Sequence, residues 1–399
     1  MKKSPALPST KLNRSPSSWS NLEDRLCRKL QRIENKGRKR GLNLAHLEDT
    51  VDLSHNDYLG LRHDTKFQNR VIDSLRGLPV GSGGSRLLGG EHPIFQKLEA
   101  RFSEFKGVES SLFFPSGYAA NEAICRAIIG PNTGVYSDSL NHASLIDGFK
   151  ISQLSREQKF VFAHNNLQQL ETLLKESPYE IKLVFTESLF SMDGDFAPLD
   201  SLYNLCEAEN ALLIIDEAHG LATYGRNGGG LISQFGLDPQ KVISINPCGK
   251  GMAASGAFIC GPEWLRDYLI NSCRELIFST APSPWIAQAL LESITTIETM
   301  NNEREYLSKK SQDLRDFLQN LGFDTGASCS HIIPIILGNE EKSLHAESFL
   351  KSKGITAKAI RPPSVHPRSC RLRVSLNSGL SEQSFSLIKQ AFKELHHVL

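Results

Sequence analysis

The sequence predicts an α/β protein with a large domain on a mostly parallel central sheet and a smaller C-terminal α+β domain. The first observation behind this prediction is that short apolar runs alternate with helical patterns between about residues 110 and 260. Such alternation is typical of parallel strands covered by helices on both faces. The second observation is the change of order after residue 330, where strand, helix, strand, strand and helix follow one another. The length of 399 residues is sufficient for two domains.

Four segments are expected along the chain. Residues 1–20 indicate a disordered tail, 21–60 an N-terminal helix and arm, 61–290 the large domain, and 291–399 the small domain. The tail is basic and contains prolines, so we favour disorder over a transit peptide.

Each element is predicted from its own pattern. Runs of mostly apolar residues predict strands at 110–114, 135–137, 160–163, 181–185, 211–215, 242–245, 257–260, 331–337, 355–360 and 371–376. Apolar residues at helical spacing predict helices at 21–40, 166–176, 200–209, 284–299, 302–320, 342–352 and 382–397. The chemistry of such folds is expected at the carboxyl ends of the strands.

Composition excludes several classes of protein. The 45 basic and 44 acidic residues leave a net charge of +1, which argues against nucleic acid or an anionic membrane as the main partner. No segment has the roughly 18 uninterrupted apolar residues that a spanning helix requires. The eight cysteines form no C-x-x-C pair. We therefore expect reduced thiols in a cytoplasmic setting and no metal site.

Two motifs suggest nucleotide chemistry but lack the residues it needs. The letters D-E-A-H at 216–219 also occur in helicases, but the G-x-x-x-x-G-K-[ST] loop that cradles a triphosphate is missing upstream. The glycine-rich stretch at 81–90 has Arg86 where a dinucleotide-binding loop has its third glycine, and no buried strand precedes it. Its many glycines predict a backbone that closely approaches another group.

Three groups that follow predicted strands point to pyridoxal phosphate. Lys250 lies between two glycines, 34 residues after Asp216, in a setting where desolvation would lower the pKa of its amine. Asp216 provides a carboxylate for the pyridine nitrogen, and His219 follows three residues later. The turn at 115–118 offers backbone N–H groups for a phosphate at a helix start. His142, after another strand, is a candidate for the face of the ring.

The motifs together resemble the α-oxoamine synthases, a family of pyridoxal-phosphate enzymes of fold type I. The resemblance runs from about residue 22 to residue 397. Its matching strings are S-H-N-D-Y-L-G-L (54–61), G-S-G-G-S-R-L-L-G-G (81–90), S-G-Y-A-A-N (116–121), N-H-A-S-L (141–145), T-E-S-L-F-S-M-D-G-D (186–195), D-E-A-H-G (216–220) and G-K-G (249–251).

The resemblance implies a role for each matching residue near the cofactor, which the large domain would bind. It makes Lys250 the residue that binds pyridoxal 5′-phosphate covalently and later the base that removes a proton from the substrate. Asp216 would pair with the pyridine nitrogen and His219 with the phenolic oxygen, near Ser191. His142 would stack on the ring.

For the phosphate, the resemblance implies two contributions. Gly117 and Tyr118 would bring backbone N–H groups from their own subunit. Ser279 and Thr280 match a segment that reaches the phosphate of the neighbouring subunit. The implied assembly is a homodimer with shared active sites.

For the substrates, the resemblance implies a decarboxylative condensation of L-alanine with pimeloyl-CoA, or with a pimeloyl carrier-protein thioester. Asn56 and Arg373 would hold the amino-acid carboxylate, and Arg38 and Ser364 match positions near the acyl substrate. Glycine or serine with a different acyl-CoA, as in other members of the family, remains an alternative.

One residue departs from the family pattern. Where the family usually has Ser or Thr three residues before the lysine, to donate a hydroxyl to the phosphate, this chain has Pro247. Proline has neither a hydroxyl nor a backbone N–H. The departure predicts weaker cofactor binding, and it is the only support for a second alternative, a cofactor-poor paralogue without catalytic activity.

Overall fold

The computed structural model describes residues 17–42 and 50–399. Residues 1–16, most of the predicted tail, lie outside this range. The helices are α1 (Ser18–Asn35), α2 (Thr65–Ser74), α3 (Pro93–Lys106), α4 (Gly117–Ile128), α5 (Ala143–Ile151), α6 (Leu167–Lys175), α7 (Leu199–Ala208), α8 (Leu231–Gln234), α9 (Glu263–Ser272), α10 (Arg274–Ile277), α11 (Pro284–Ile297), α12 (Asn301–Asn320), α13 (Glu340–Ser352) and α14 (Glu382–His396).

The strands confirm the predicted α/β class. They are β1 (Val51–Asp52), β2 (Ser110–Phe114), β3 (Thr133–Asp138), β4 (Lys159–Phe162), β5 (Ile181–Glu187), β6 (Leu212–Asp216), β7 (Val242–Pro247), β8 (Ala257–Gly261), β9 (Ile332–Gly338), β10 (Ile355–Thr356), β11 (Lys358–Ile360) and β12 (Cys370–Ser375). Seven of them form the central sheet in the order β2-β8-β7-β6-β5-β3-β4. Only β8 runs against the others in this sheet.

The central sheet forms because its inner strands are apolar on both faces. β6, with the sequence L-L-I-I-D, and β7, with V-I-S-I-N-P, are buried over nearly their whole length between layers of helices. Parallel order brings the carboxyl ends of β3, β5, β6 and β7 to one edge of the sheet, where their last residues are polar or precede polar loops. That edge holds the site described below.

A second, three-stranded antiparallel sheet lies in the C-terminal part, in the order β11-β12-β9. The prediction of one strand at 355–360 is wrong, because β10 and β11 join different sheets: β10 pairs with β1 from the N-terminal arm, and β11 pairs with β12. One hydrophobic core contains residues of both parts, such as Ile215 of β6 and Leu372 of β12. The division at residue 290 therefore stays a prediction.

Helix α1 confirms the helical pattern predicted for 21–40 but ends earlier. Gly37, with φ of +64°, follows its last turn, and its N–H bonds back to the carbonyl of Glu34. None of its side chains is buried, and the apolar stripe that includes Leu26 and Leu30 is exposed. Among residues 17–42 and 50–399, no helix combines the length and apolarity needed to cross a bilayer.

Candidate active site

A cavity of about 460 Å³ opens at the carboxyl ends of the central strands. We call it the lysine pocket, since Lys250 lies in its wall. It brings together most of the residues that the sequence predicted for the cofactor. Its lining comprises Asn56, Pro115, Ser116, Gly117, Tyr118, Asn121, His142, Ser144, Glu187, Asp216, Ala218, His219, Pro247, Gly249, Lys250, Ser255 and Gly256.

Lys250 follows β7 in a tight loop, where it lies between Gly249 and Gly251. A Cβ at Gly251 would lie 2.8 Å from the carbonyl oxygen of Leu221, so no side chain fits there. Burial lowers the pKa of Lys250, while the carboxylates of Asp216 and Glu187 oppose that shift. The amine is thus partly desolvated in the pocket, as the sequence predicted, and a lowered pKa would suit a nucleophile or a base.

Asp216 ends β6 and is held by two hydrogen bonds. The amide of Asn121 donates to Oδ2 over 2.8 Å, and the N–H of Ala218 donates to Oδ1 over 2.9 Å. The same amide of Asn121 also donates to the hydroxyl of Ser144, which lies 2.7 Å from Nδ1 of His142. One network therefore fixes the carboxylate below the pocket and the imidazole of His142 beside it.

Glu187 is a pocket residue that the sequence analysis missed. It ends β5 and pairs in register with Asp216 on β6, so two carboxyl groups lie side by side at the edge of the sheet. Burial, followed by the charge of Asp216, raises the pKa of Glu187 well above its ordinary value. A glutamate two residues after the mostly apolar run at 181–185 was the available signal.

His219 lines the pocket and contacts the N-terminal arm. Its Nδ1 lies 2.5 Å from the hydroxyl of Tyr58, and the same hydroxyl lies 3.2 Å from Oδ1 of Asn56. Burial and then the charge of Lys250 lower the pKa of His219 well below its ordinary value. A neutral imidazole at this place has one N–H to donate. Tyr58 is buried and belongs to the matched string at 54–61, but the sequence analysis did not identify it as a site residue.

Arg373 lies in a second cavity of about 420 Å³, which shares Asn56, His142, His219 and Lys250 with the lysine pocket. Its Nε donates to the carbonyl of Ser191 over 2.6 Å, and its Nη1 donates to Oδ1 of Asn56 over 3.0 Å. Its Nη2 is buried and has no hydrogen-bond partner among the described residues. A buried donor of this kind fits the carboxylate of a small substrate.

The start of α4 provides a place for a phosphate. Ser116 caps the helix by accepting from the N–H of Ala119 over 3.1 Å. The N–H groups of Gly117 and Tyr118, which precede Ala119, have no carbonyl within the helix as a hydrogen-bond partner. Both residues line the pocket. A Cβ at Gly117 would lie 2.7 Å from Cγ of Pro247, so the ring of Pro247 closes one side of this helix start.

Three predicted residues line neither the lysine pocket nor the second cavity. Arg38 forms an ion pair with Glu340 and lines a third cavity of about 350 Å³, which reaches the second cavity at Ser364. Ser279 and Thr280 lie beyond α10 and do not line the lysine pocket of their own chain. Within the described ranges, no group of three His, Cys, Asp or Glu side chains is arranged to hold a metal ion.

A family model described as aminotransferase class I and II matches residues 48–388. The chain belongs to this family. A putative 8-amino-7-oxononanoate synthase from Geobacillus kaustophilus (strain HTA426) is 38% identical over 377 residues, which cover 92% of this chain and 96% of that protein. An 8-amino-7-oxononanoate synthase from Anaeromyxobacter dehalogenans (strain 2CP-1 / ATCC BAA-258) is 38% identical over 329 residues, covering 82% of each.

Solved structures agree with the family. The crystal structure of 8-amino-7-oxononanoate synthase from Francisella tularensis superposes with a TM-score of 0.76 at 26% identity, covering 88% of this chain and 98% of that chain. A serine palmitoyltransferase from Sphingomonas wittichii gives a TM-score of 0.87 at 24% identity, covering 96% of this chain and 99% of that chain. The second likeness establishes the shared fold, fold type I.

Pyridoxal 5′-phosphate is the cofactor of this member of the family, which is an acyltransferase. The residues of the lysine pocket fit the group. They offer an amine at Lys250, a carboxylate at Asp216 held by two donors, and free N–H groups at the start of α4. An enzyme is thereby supported over the cofactor-poor paralogue that Pro247 had left open.

Proposed function

We propose that the protein condenses L-alanine with pimeloyl-CoA, or with a pimeloyl carrier-protein thioester, to 8-amino-7-oxononanoate, CO₂ and free thiol in biotin biosynthesis. The names of the curated relatives support the substrates. The observation that carries the proposal is that Lys250 and the buried guanidinium of Arg373 line one cavity. An amino acid placed there would have its carboxylate at Arg373 and its Cα near the amine.

The residues around the pocket would divide the work as follows. Pyridoxal phosphate supplies an electron sink for the charge that develops at Cα of the amino acid. Lys250, whose lowered pKa favours the neutral amine, would take the proton from Cα. Asp216 would hold a proton on the pyridine nitrogen, and His142, exposed to the cavity, would cover one face of the ring. His219 would donate to the phenolic oxygen, near Ser191.

The acyl donor would enter beside Ser364, which lines both the second and the third cavity. Attack by Cα on the thioester carbonyl forms a carbon–carbon bond and releases the thiol. The carboxylate held by Arg373 and Asn56 then leaves as CO₂, and its bonding electrons return to Cα, which takes up a proton. Arg38, which lines the third cavity, would meet the far part of the acyl substrate.

The proposed assembly is a homodimer in a reducing, cytoplasmic compartment. Thr280 is exposed and Ser279 lies next to it, so both are available to a second copy of the chain, whose phosphate site they would complete. The eight cysteines form no disulfide, in agreement with a reducing compartment.

Spectral titration of the cofactor-loaded protein with L-alanine, glycine and L-serine tests the amino-acid substrate. We expect alanine to change the visible absorption at a lower concentration than glycine or serine does. Thiol release from pimeloyl-CoA, with mass spectrometry of the product, tests the acyl donor. A stronger response to glycine or serine, or no thiol release with alanine present, would replace the proposed substrates with another pair from the family.

Arg373→Lys should weaken alanine binding while leaving the acyl donor's KM unchanged. Lysine keeps the charge but loses the planar fork, and with it the donor that faces the substrate and the bond to Asn56. One charged hydrogen bond is worth about 1.5–3 kcal/mol, so the apparent affinity for alanine should fall by roughly ten- to a hundredfold. Arg368→Lys, on an exposed turn, is the control. A defect seen only with the thioester would assign Arg373 to the other substrate.

Pro247→Thr should tighten cofactor binding by roughly ten- to a hundredfold, because it adds a hydroxyl donor beside the start of α4. Pro247→Val is the matched control, since valine has the shape of threonine and also restores the backbone N–H. Dialysis followed by cofactor titration compares the three proteins. Equal affinity in the Thr and Val variants would show that a hydroxyl at this position contributes nothing in this chain.

A further inference from the structure

A charged cluster behind the second cavity joins two loops that form its wall. One is the His142 loop, residues 139–142, which connects β3 to α5. The other is the Ser191 loop, residues 188–197, which connects β5 to α7. Leu140, Asn141, His142, Ser191 and Met192 from these loops line the second cavity.

His164, which follows β4, lies between the two loops and contacts a carboxylate of each side. Its Nδ1 lies 3.1 Å from Oδ1 of Asp138, the last residue of β3, and its Nε2 lies 2.8 Å from Oδ2 of Asp195 in the Ser191 loop. Both carboxylates are buried. A ring that donates from both nitrogens is an imidazolium, so one positive charge is shared by two buried negative charges.

The surroundings of His164 reinforce the bridge. Asp138 also accepts from the N–H of Leu140 over 2.8 Å and of Asn165 over 2.9 Å, which fixes the start of the His142 loop. Asn165, with φ of +55°, donates its side-chain amide to Asp195 over 3.1 Å. The ring of Phe190 packs edge-on against His164, with 4.4 Å between the two ring centroids. Burial of the imidazole lowers its pKa, but the hydrogen bonds and charges of Asp138 and Asp195, the charged groups that contact it, outweigh burial and raise the pKa to about 10.

The Ser191 loop is held on its other side by the C-terminal sheet. Arg373 bonds to the carbonyl of Ser191, and Arg371 bonds to Asp193 over 2.6 Å. A shift of this loop would therefore move the guanidinium that faces the substrate carboxylate. The His142 loop similarly carries the ring proposed to cover the cofactor.

We infer that His164 is a positioning residue that sets the spacing of the His142 and Ser191 loops and thereby the binding of the amino-acid substrate. The inference rests on the proposed function for the identity of that substrate. His164 touches neither substrate nor cofactor in this arrangement. It acts through its charge, because an uncharged ring can donate to only one of the two carboxylates.

The test compares His164→Gln, which loses the charge, with His164→Arg, which keeps a charge and several donors. In the cofactor-loaded protein, we expect the apparent affinity for L-alanine to fall about tenfold in the Gln variant and to recover in the Arg variant, with cofactor affinity unchanged in both. His345→Gln on the exposed face of α13 is the matched control. Asp195→Asn, which removes one end of the bridge, should weaken alanine binding in the same direction.

Thermal unfolding of the cofactor-free protein gives a second readout that is independent of any substrate. The raised pKa of His164 means that its stabilising effect is fully present below pH 6.5 and is lost as pH rises towards about 10. The difference in Tm between the wild type and the Gln variant should shrink over that range. Over the same range the Tm of the Arg variant should rise relative to that of the wild type, because arginine keeps its charge.

The outcomes separate this inference from the proposed function. If the wild type responds to glycine or serine in place of alanine, the substrate assignment fails, and the same comparison is made with that amino acid. If the Gln variant binds the wild type's amino acid as tightly as the wild type does, or if arginine fails to restore binding, the positioning role is wrong. Equal loss in the Gln and Arg variants, with a lower Tm, would mean that His164 only supports the fold.

Discussion

Lys250→Ala is expected to lose turnover by at least about a thousandfold. The variant removes the amine that would bind the cofactor covalently and the base for the Cα proton at once, and a positioned base alone contributes roughly 10²–10⁴ to a rate. The protein should remain folded, because the side chain opens into the lysine pocket and glycines flank it. Borohydride reduction followed by peptide mass spectrometry should find the cofactor on the wild-type peptide that contains residue 250 and on no peptide of the variant.

The control for this variant is Lys66→Ala on the exposed face of α2, which should leave turnover and cofactor attachment unchanged. Turnover of the Lys250 variant within about tenfold of the wild type, a change of about 1.4 kcal/mol in the barrier, would exclude the lysine from the chemistry. Retention of the cofactor mass on another lysine would show that a different amine holds it.

Asp216→Ala should slow exchange of the Cα proton of alanine by orders of magnitude while weakening cofactor binding much less. The carboxylate would hold the proton on the pyridine nitrogen, and each pKa unit of lost support is worth about 1.4 kcal/mol. Exchange of the alanine Cα hydrogen in D₂O, followed by NMR, measures the effect directly and needs no acyl donor.

Two further variants separate charge from packing at this position. Asp216→Asn keeps an acceptor for the N–H of Ala218 but loses the charge, so it should be nearly as slow as the Ala variant. Asp200→Asn on the exposed start of α7 is the control. Normal exchange in the Asp216→Asn variant would show that hydrogen bonding, and not the negative charge, is what the reaction needs.

The sequence was sufficient to predict the central sheet and the residues that follow its strands. Its strands are short apolar runs, and the groups at their carboxyl ends, such as Asp216 and Lys250, are brought together by parallel order alone. Helix α1 was predicted from spacing, but its end at Asn35 depends on the local turn at Gly37. Patterns of this kind act within one segment, so they can be read without knowledge of the remainder of the chain.

The residues that were missed owe their roles to contacts between distant segments. Glu187 matters because β5 and β6 pair in a register that puts it beside Asp216. Tyr58 matters because it reaches His219 across 161 positions of sequence. The strand predicted at 355–360 divides because β1, from the far end of the chain, pairs with β10. Periodicity contains no information on such pairings, since they depend on which surfaces meet in the folded molecule.

The contact between Asn56 and Arg373 can form only late in the synthesis of the chain. These residues are 317 positions apart, so the proposed carboxylate site cannot form until almost the whole chain has been synthesised. During translation Tyr58 and its apolar neighbours in the N-terminal arm stay uncovered until the last strands have been made. Closing so long a loop is a slow event in folding. A nascent chain can therefore complete its large sheet early and still be unable to recognise an amino acid until its final strands dock.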